Sequence, residues 1–269
     1  MLEGMEIATL RHARGGWLAP FPALDSTRTL VLAFAAPSYR DRAELLTELA
    51  AAYPTSVVIG CSTAGEIAGT EIHDASISLA AIRFATTRVR QAHAKLDEAT
   101  DSRAAGAALA AALLDDELRA VIVLSDGLHT NGSELVRGLN DGLPERVVVT
   151  GGLAGDGDRF AQTWVLAGGK ALERAVVAVG LYGDAVRVTH GSQGGWDEFG
   201  PTRMVTASTG NVLHSLDGRP ALALYKEYLG DRAAGLPGSA LLFPLALRDR
   251  TGRCDGVVRS DPFLPNLTL

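Results

Sequence analysis

Two cysteines, Cys61 and Cys254, are all that 269 residues contain, and they stand far apart. There is no disulfide framework to read in that spacing, and no CxxC or paired-histidine pattern for structural zinc. Aromatic residues make up only 6% of the chain, which leaves little to line a large flat cofactor. No apolar run approaches the roughly 18 residues that a membrane helix needs. The opening residues Met1-Leu2-Glu3-Gly4-Met5-Glu6 carry acids where a signal peptide would carry Lys or Arg. A soluble, cytoplasmic protein is therefore expected. Basic residues are outnumbered, 25 against 31, for a net charge of −6, so no basic face is offered to duplex nucleic acid. Glycine is plentiful, at 30 residues. The 47% apolar fraction, in a chain this long, suffices for a core without staples.

An internal repeat organises much of the chain. Sliding residues 31–66 onto 121–156 without a gap gives nine identities in 36 positions: Val31, Glu44, Leu45, Leu49, Pro54, Val57, Val58, Ala64 and Gly65. Each copy reads the same way. A buried apolar strand comes first (Thr29 to Ala35; Ala120 to Leu124). A helix follows, opened by Asp41 or by Asn131-Gly-Ser133 as a cap. Pro54 or Pro144 ends it, a second strand follows (Val57 to Ile59; Val147 to Val149), and a small-residue loop closes the unit. Further strands are expected over residues 75–84, 87–93, 175–182 and 185–190, with a hairpin turn at Gly168-Gly169 and an Ala-rich linking helix over 102–114. The fold class expected is α/β, with internally duplicated β-α-β-loop-β units, pseudo-twofold symmetry and mixed sheets. The repeats span about 28–93 and 118–190.

The tail reads differently. Residues 211–220 form a strand with a Leu-Asp-Gly turn, and a helix over 220–228 starts with Pro220 and stops at Gly230. Residues 231–269 have several Pro and Gly and no long periodic run.

Five stretches, taken together in order, are distinctive: residues 31–39 (VLAFAAPSY), 59–67 (IGCSTAGEI), 151–156 (GGLAGD), 194–196 (GGW) and 216–222 (LDGRPAL). They resemble the FIST family over about residues 27–230. The resemblance implies a lead segment over 1–25, a FIST N-domain over 26–215, and the incomplete beginning of a FIST C-domain over 216–269. It implies a non-catalytic intracellular sensory module that binds an amino acid or related metabolite. The signal would pass to a partner such as a histidine kinase, a cyclic-dinucleotide enzyme or a chemoreceptor. A subset of the family is similar to haem proteins that sense nitric oxide.

The candidate binding residues sit in the two glycine loops. They are Gly60, Cys61, Ser62, Thr63, Gly65 and Glu66 in the first, and Gly151, Gly152, Gly155 and Asp156 in the second. Such loops at the C-terminal ends of strands are where α/β sheets hold ligands. Glycine lets the backbone approach a ligand, free N–H groups can hold a carboxylate, and Glu66 and Asp156 suit an ammonium group. Ser38 and Ser125-Asp126-Gly127, after the first strand of each copy, are placed to line the same mouth, and Trp196 in its Gly-rich stretch reads as a pocket wall or a core plug. Other classes stay open. Cys61 or Ser62 in a Gly-x-Ser-x-Ala turn would serve a hydrolase, though Ala64 stands where the nucleophile elbow has glycine. Glu66 and Asp156 could form an acid–base pair. His190 is the first choice for a haem ligand, with His129 and His214 as alternatives.

Overall fold

The structure is a computed structural model that describes residues 4–96, 101–191, 200–248, 254–260 and 267–268. The elements run β1 (Met5–Ala13), β2 (Gly16–Trp17), β3 (Thr29–Ala35), α1 (Ala43–Ala52), β4 (Val57–Ser62), β5 (Glu66–Ala68), β6 (Glu71–His73), β7 (Ile77–Phe84) and β8 (Arg88–Lys95). They continue with α2 (Ser102–Leu113), β9 (Leu118–Ser125), α3 (Gly132–Gly142), β10 (Val148–Leu153), β11 (Val165–Ala167), β12 (Lys170–Leu172) and β13 (Ala175–Tyr182). The remainder is β14 (Val205–Thr209), β15 (Val212–Leu216), β16 (Arg219–Pro220), α4 (Ala221–Leu229), β17 (Leu245–Arg248), β18 (Cys254–Ser260) and β19 (Leu267–Thr268). Two compact units emerge: Met1–Gly157 with Ala161–Gly191, and Asp158–Phe160 with Ser192–Leu269.

The first unit is α/β, with mixed sheets. One sheet runs β12-β11-β4-β3-β7-β1-β2 and the other β10-β9-β13-β8. The core order β4-β3-β7-β1 matches β10-β9-β13-β8. In each sheet the first pair is parallel and the next two are antiparallel. The registers differ by one residue from the ungapped repeat, because Leu30 pairs with Val57 but Ala120 pairs with Val148.

Burial explains the layers. Leu45, Leu46 and Leu49 share a face of α1 and pack on Val31, Ala33, Ile77 and Leu79 of the first sheet. Each contributes roughly 1.5–3 kcal/mol by leaving water. Leu109 and Leu113 of α2 and Leu135 and Leu139 of α3 cover the outer face of the second sheet. The inner faces meet through Ile59, Cys61, Leu124, Val165, Val177 and Val179. Strand β13 is buried at all eight positions, as its unbroken apolar run AVVAVGLY requires.

Two expectations are corrected. Asp41 does not cap α1: it ends a 3₁₀ turn at Pro37–Asp41, and α1 starts at Ala43 without a side-chain cap. The residues 185–190 form no strand, which leaves β8 at the edge of its sheet. Asn131 does cap α3, its side chain accepting from the Glu134 N–H at 3.2 Å.

The second unit has its own core. Leu213 and Leu216 of β15 pack on Ala221, Leu224, Tyr225 and Leu229 of α4. The strands β14, β15, β19, β18 and β17 form its sheet, and the Tyr225 hydroxyl donates to the Phe243 carbonyl at 2.8 Å.

Candidate functional site

Both glycine loops begin where a parallel strand ends, and they meet. The Gly155 N–H donates to the Ser62 carbonyl at 2.9 Å. Their surroundings differ. β4 has its outer edge bonded by β11, with Cys61 opposite Val165. The end of β4 is consequently sealed, with Gly60, Cys61 and Ser62 buried, while Ala64 at the tip of the loop is exposed. A Cβ at Gly60 would lie 1.9 Å from the Ala33 carbonyl oxygen, as one at its counterpart Gly151 would lie 1.7 Å from that of Val123. Cys61 is 3% exposed, and burial pushes its thiol up to about 12. That is opposite to the lowered value an activated nucleophile needs. The buried Ser62 hydroxyl accepts from the Trp164 N–H at 3.2 Å.

Glu66 is buried, and both carboxylate oxygens are engaged. One accepts from the Thr63 hydroxyl at 2.8 Å, the other from the Ser76 N–H at 3.0 Å and the Ser76 hydroxyl at 2.9 Å. As placed, Glu66 ties the loop to the start of β7. Gly65 packs at the Ile72 side chain. Asp156 is likewise buried and accepts from the Ala161 and Gln162 N–H groups at 2.7 and 2.9 Å. The two carboxylates thus act as turn clamps, and neither is presented to a reacting group.

The second loop opens to solvent. Gly151, Gly152 and Leu153 are exposed, and β10 is an edge strand whose outer side pairs with no strand among the described residues. Beside them β9 ends in Ser125, and α3 begins at Gly132, with Leu153 side-chain atoms 3.9 Å from the position a Cβ would take there. Asp126, fully buried, accepts at one oxygen from the Leu128 N–H (2.9 Å), the His129 N–H (2.7 Å) and His129 Nδ1 (3.0 Å). Its other oxygen accepts from the Arg174 N–H at 3.2 Å. The carboxylate accepts, so Nδ1 carries the proton, and Nε2 of the half-buried imidazole is the free hydrogen-bonding atom. The Asp126–His129 pair went unread in the sequence. Its signal was an Asp-x-x-His spacing directly after a buried strand.

Other candidates lie elsewhere. Trp196 falls outside the described residues. Ser38 is exposed in the turn after β3. His214 is part-buried and hydrogen-bonds the Thr209 hydroxyl at 3.0 Å. His190 is exposed, and the residues 192–199 after it lie outside the described residues. No group of three or more metal-ligating side chains occurs among the described residues.

Facing mixed sheets with outer helices define an α/β module with an open strand end beside a carboxylate-held histidine. The FIST N domain family matches residues 29–219, and the chain belongs to that family, whose domains are sensory. No curated protein matches the chain. No helix among the described residues is long and apolar enough to cross a membrane.

Proposed function

We propose that the chain is a non-catalytic sensor of an amino acid or related metabolite, read out by a separate signalling protein such as a histidine kinase, a cyclic-dinucleotide enzyme or a chemoreceptor. The observation that carries this reading is the exposed Gly151-Gly152 edge of β10 at the same sheet end as the Asp126-held His129. Backbone donors and acceptors of an edge strand bind a ligand's amide, carboxylate or ammonium without side-chain obstruction. His129 Nε2 accepts from an ammonium or, once protonated, donates to a carboxylate. In this reading Gly60, Cys61, Ser62, Thr63, Gly65, Glu66, Gly155 and Asp156 hold the two loops in place, and Gly151, Gly152 and His129 touch the ligand. Binding would stabilise the bound conformation, and the partner would read the shift in population.

The test is a thermal-shift screen of the whole chain against the twenty common amino acids. A ligand at 100 times its Kd adds about 2.7 kcal/mol, or roughly 5–10 °C in Tm for a chain of this size. The His129→Gln variant should lose most of that shift. Absence of a shift for every amino acid, or a shift unchanged in His129→Gln, would overturn the reading.

A further inference from the structure

A second pocket lies in the first unit, on the flank of the larger sheet. The core between the two sheets takes residues from β3, β4 and β7 but none from β1. Alternation along β1 sorts its side chains. Leu10 and His12 are buried on the α1 side, so Thr9 and Arg11 point to the opposite face. Ser78 of β7 stands opposite Arg11 in register, between the core residues Ile77 and Leu79, and so shares that face. The Ser78 hydroxyl donates to the Ile67 carbonyl at 2.7 Å, which fixes the β5–β6 hairpin as a wall. Leu18, beyond β2, forms another. Together they enclose an open-sided pocket of about 270 Å³ lined by Thr9, Arg11, Leu18, Ile67, Ala68 and Ser78.

Two features of this pocket are unusual. Leu18 and Ile67 are 58% and 67% exposed, so large aliphatic side chains stand in water in the same lining as Arg11. Single exposed apolar residues are ordinary, but a cluster of them around a charge marks a binding surface. The other feature is the arginine. The part-buried arginines among the described residues are Arg11, Arg40, Arg83 and Arg119. Arg40, Arg83 and Arg119 are each held by a carboxylate, Glu173, Glu6 and Asp184 respectively. Arg11 has no carboxylate among the described residues. A part-buried arginine without a carboxylate partner among the described residues offers its charge and N–H donors to an incoming anion.

We propose that this pocket binds a small monocarboxylate with a short, branched aliphatic body. The carboxylate pairs with Arg11 and accepts from the Thr9 hydroxyl, and the aliphatic body covers Leu18 and Ile67. The volume admits a molecule of a few carbons, below the range of sites for drug-sized ligands. One arginine suits a monoanion, whereas a phosphate dianion calls for more donors. The site is separate from the β9–β10 end and stands whether or not that end binds an amino acid.

The experiment is a calorimetric titration of the whole chain with sodium 4-methylpentanoate. Its neutral amide and sodium acetate are titrated in parallel. Saturable one-to-one binding of the acid is expected, with the amide and acetate each at least tenfold weaker. Arg11→Met should weaken the acid at least tenfold without lowering Tm, since no ion pair among the described residues is lost. Ile67→Ser, at a site already in water, should fold normally and weaken the acid several-fold. Circular dichroism confirms that both variants are folded. Absence of saturable binding of the acid, equal affinity for acetate, or binding unaffected in Arg11→Met would each overturn the proposal.

Discussion

β4 and β10 occupy the same place in two sheets of the same order, yet one is sealed and the other is open. The cause is the hairpin β11–β12, which adds to the free side of β4 through Ile59, Gly60 and Cys61. The corresponding β5–β6 hairpin forms a two-stranded sheet of its own and leaves β10 uncovered among the described residues. The comparison teaches that a repeated strand-loop pattern fixes local conformation, while the neighbour on the edge decides its use. Where an edge is closed, loop residues become core and their polar atoms bond one another. Where it is open, the same kind of loop keeps its backbone for something else.

The sharpest way to break this comparison is to add the same side chain to both strands. Cys61 and Gly152 stand at the same register in their sheets, opposite Phe34 and Leu124. Cys61→Asp buries an unpaired carboxylate at a position only 3% exposed and should yield no cooperatively folded protein. Gly152→Asp adds the same group in water, where a Cβ meets nothing within 4 Å, and should stay within about 0.5 kcal/mol of the parent. Thermal melts followed by circular dichroism decide it, and comparable melting of the two variants would refute the contrast.

A smaller effect is expected from the polar clamps. Glu66→Ala strands the Ser76 N–H and two hydroxyls in a buried turn. It should cost roughly 2–4 kcal/mol, or a fall of about 5–10 °C in Tm. His129→Ala removes a half-exposed ring and leaves Asp126 its three backbone N–H donors, so about 1 kcal/mol is expected. If Glu66→Ala melts like the parent, the sealed-loop account fails. Thiol chemistry makes the same point without stability. In a Cys254→Ser background, Cys61 should stay inert to an aromatic disulfide reagent at pH 8 and react fully once denaturant is added. Prompt labelling of the native chain would place Cys61 at a surface.

Much of this was legible in the sequence, for reasons that residues make plain. The runs TLVLAFA and AVVAVGLY are too apolar for anything but buried strands, and the Asn131 cap announces α3. The Gly168-Gly169 turn, both residues at positive φ, announces the β11–β12 hairpin. What that hairpin pairs with was not legible, because strand pairing across a hundred residues leaves no local mark. That single pairing turned Cys61 and Ser62 from accessible loop residues into core, while Glu66 is held by Thr63 and by Ser76 at the start of β7. Asp41 misled because a 3₁₀ turn intervened before α1. His129 drew notice only as an isolated histidine, since the backbone N–H groups that fix Asp126 under it are visible only in three dimensions. Arg11 drew none, because an arginine without a carboxylate among the described residues is recognised only once its neighbours in space are known.

The smallest effect concerns titration, and it tests whether the sealed character of the first sheet extends to its side chains. His12 on β1 is 2% exposed, with Nδ1 3.0 Å from the Tyr39 oxygen. The Tyr39 proton is donated to the Ala75 carbonyl at 3.0 Å, so Nδ1–H is the donor to Tyr39. Burial lowers the His12 pKa below 6.5, the positive charge of Arg42 lowers it further, and Glu48 opposes them only in part. The folded chain therefore takes up this proton less readily than the unfolded chain. Stability follows the difference in bound protons, so it falls as pH drops through about 6.5 toward the lowered folded value. Below both values the penalty no longer grows, and above them it vanishes. His12→Gln cannot titrate. It should be less stable at neutral pH, having lost a fitted ring, yet flatter across that window in urea denaturation at a series of pH values. An unchanged slope in His12→Gln would mean that water reaches the ring, and that the first sheet is less sealed than its neighbours imply.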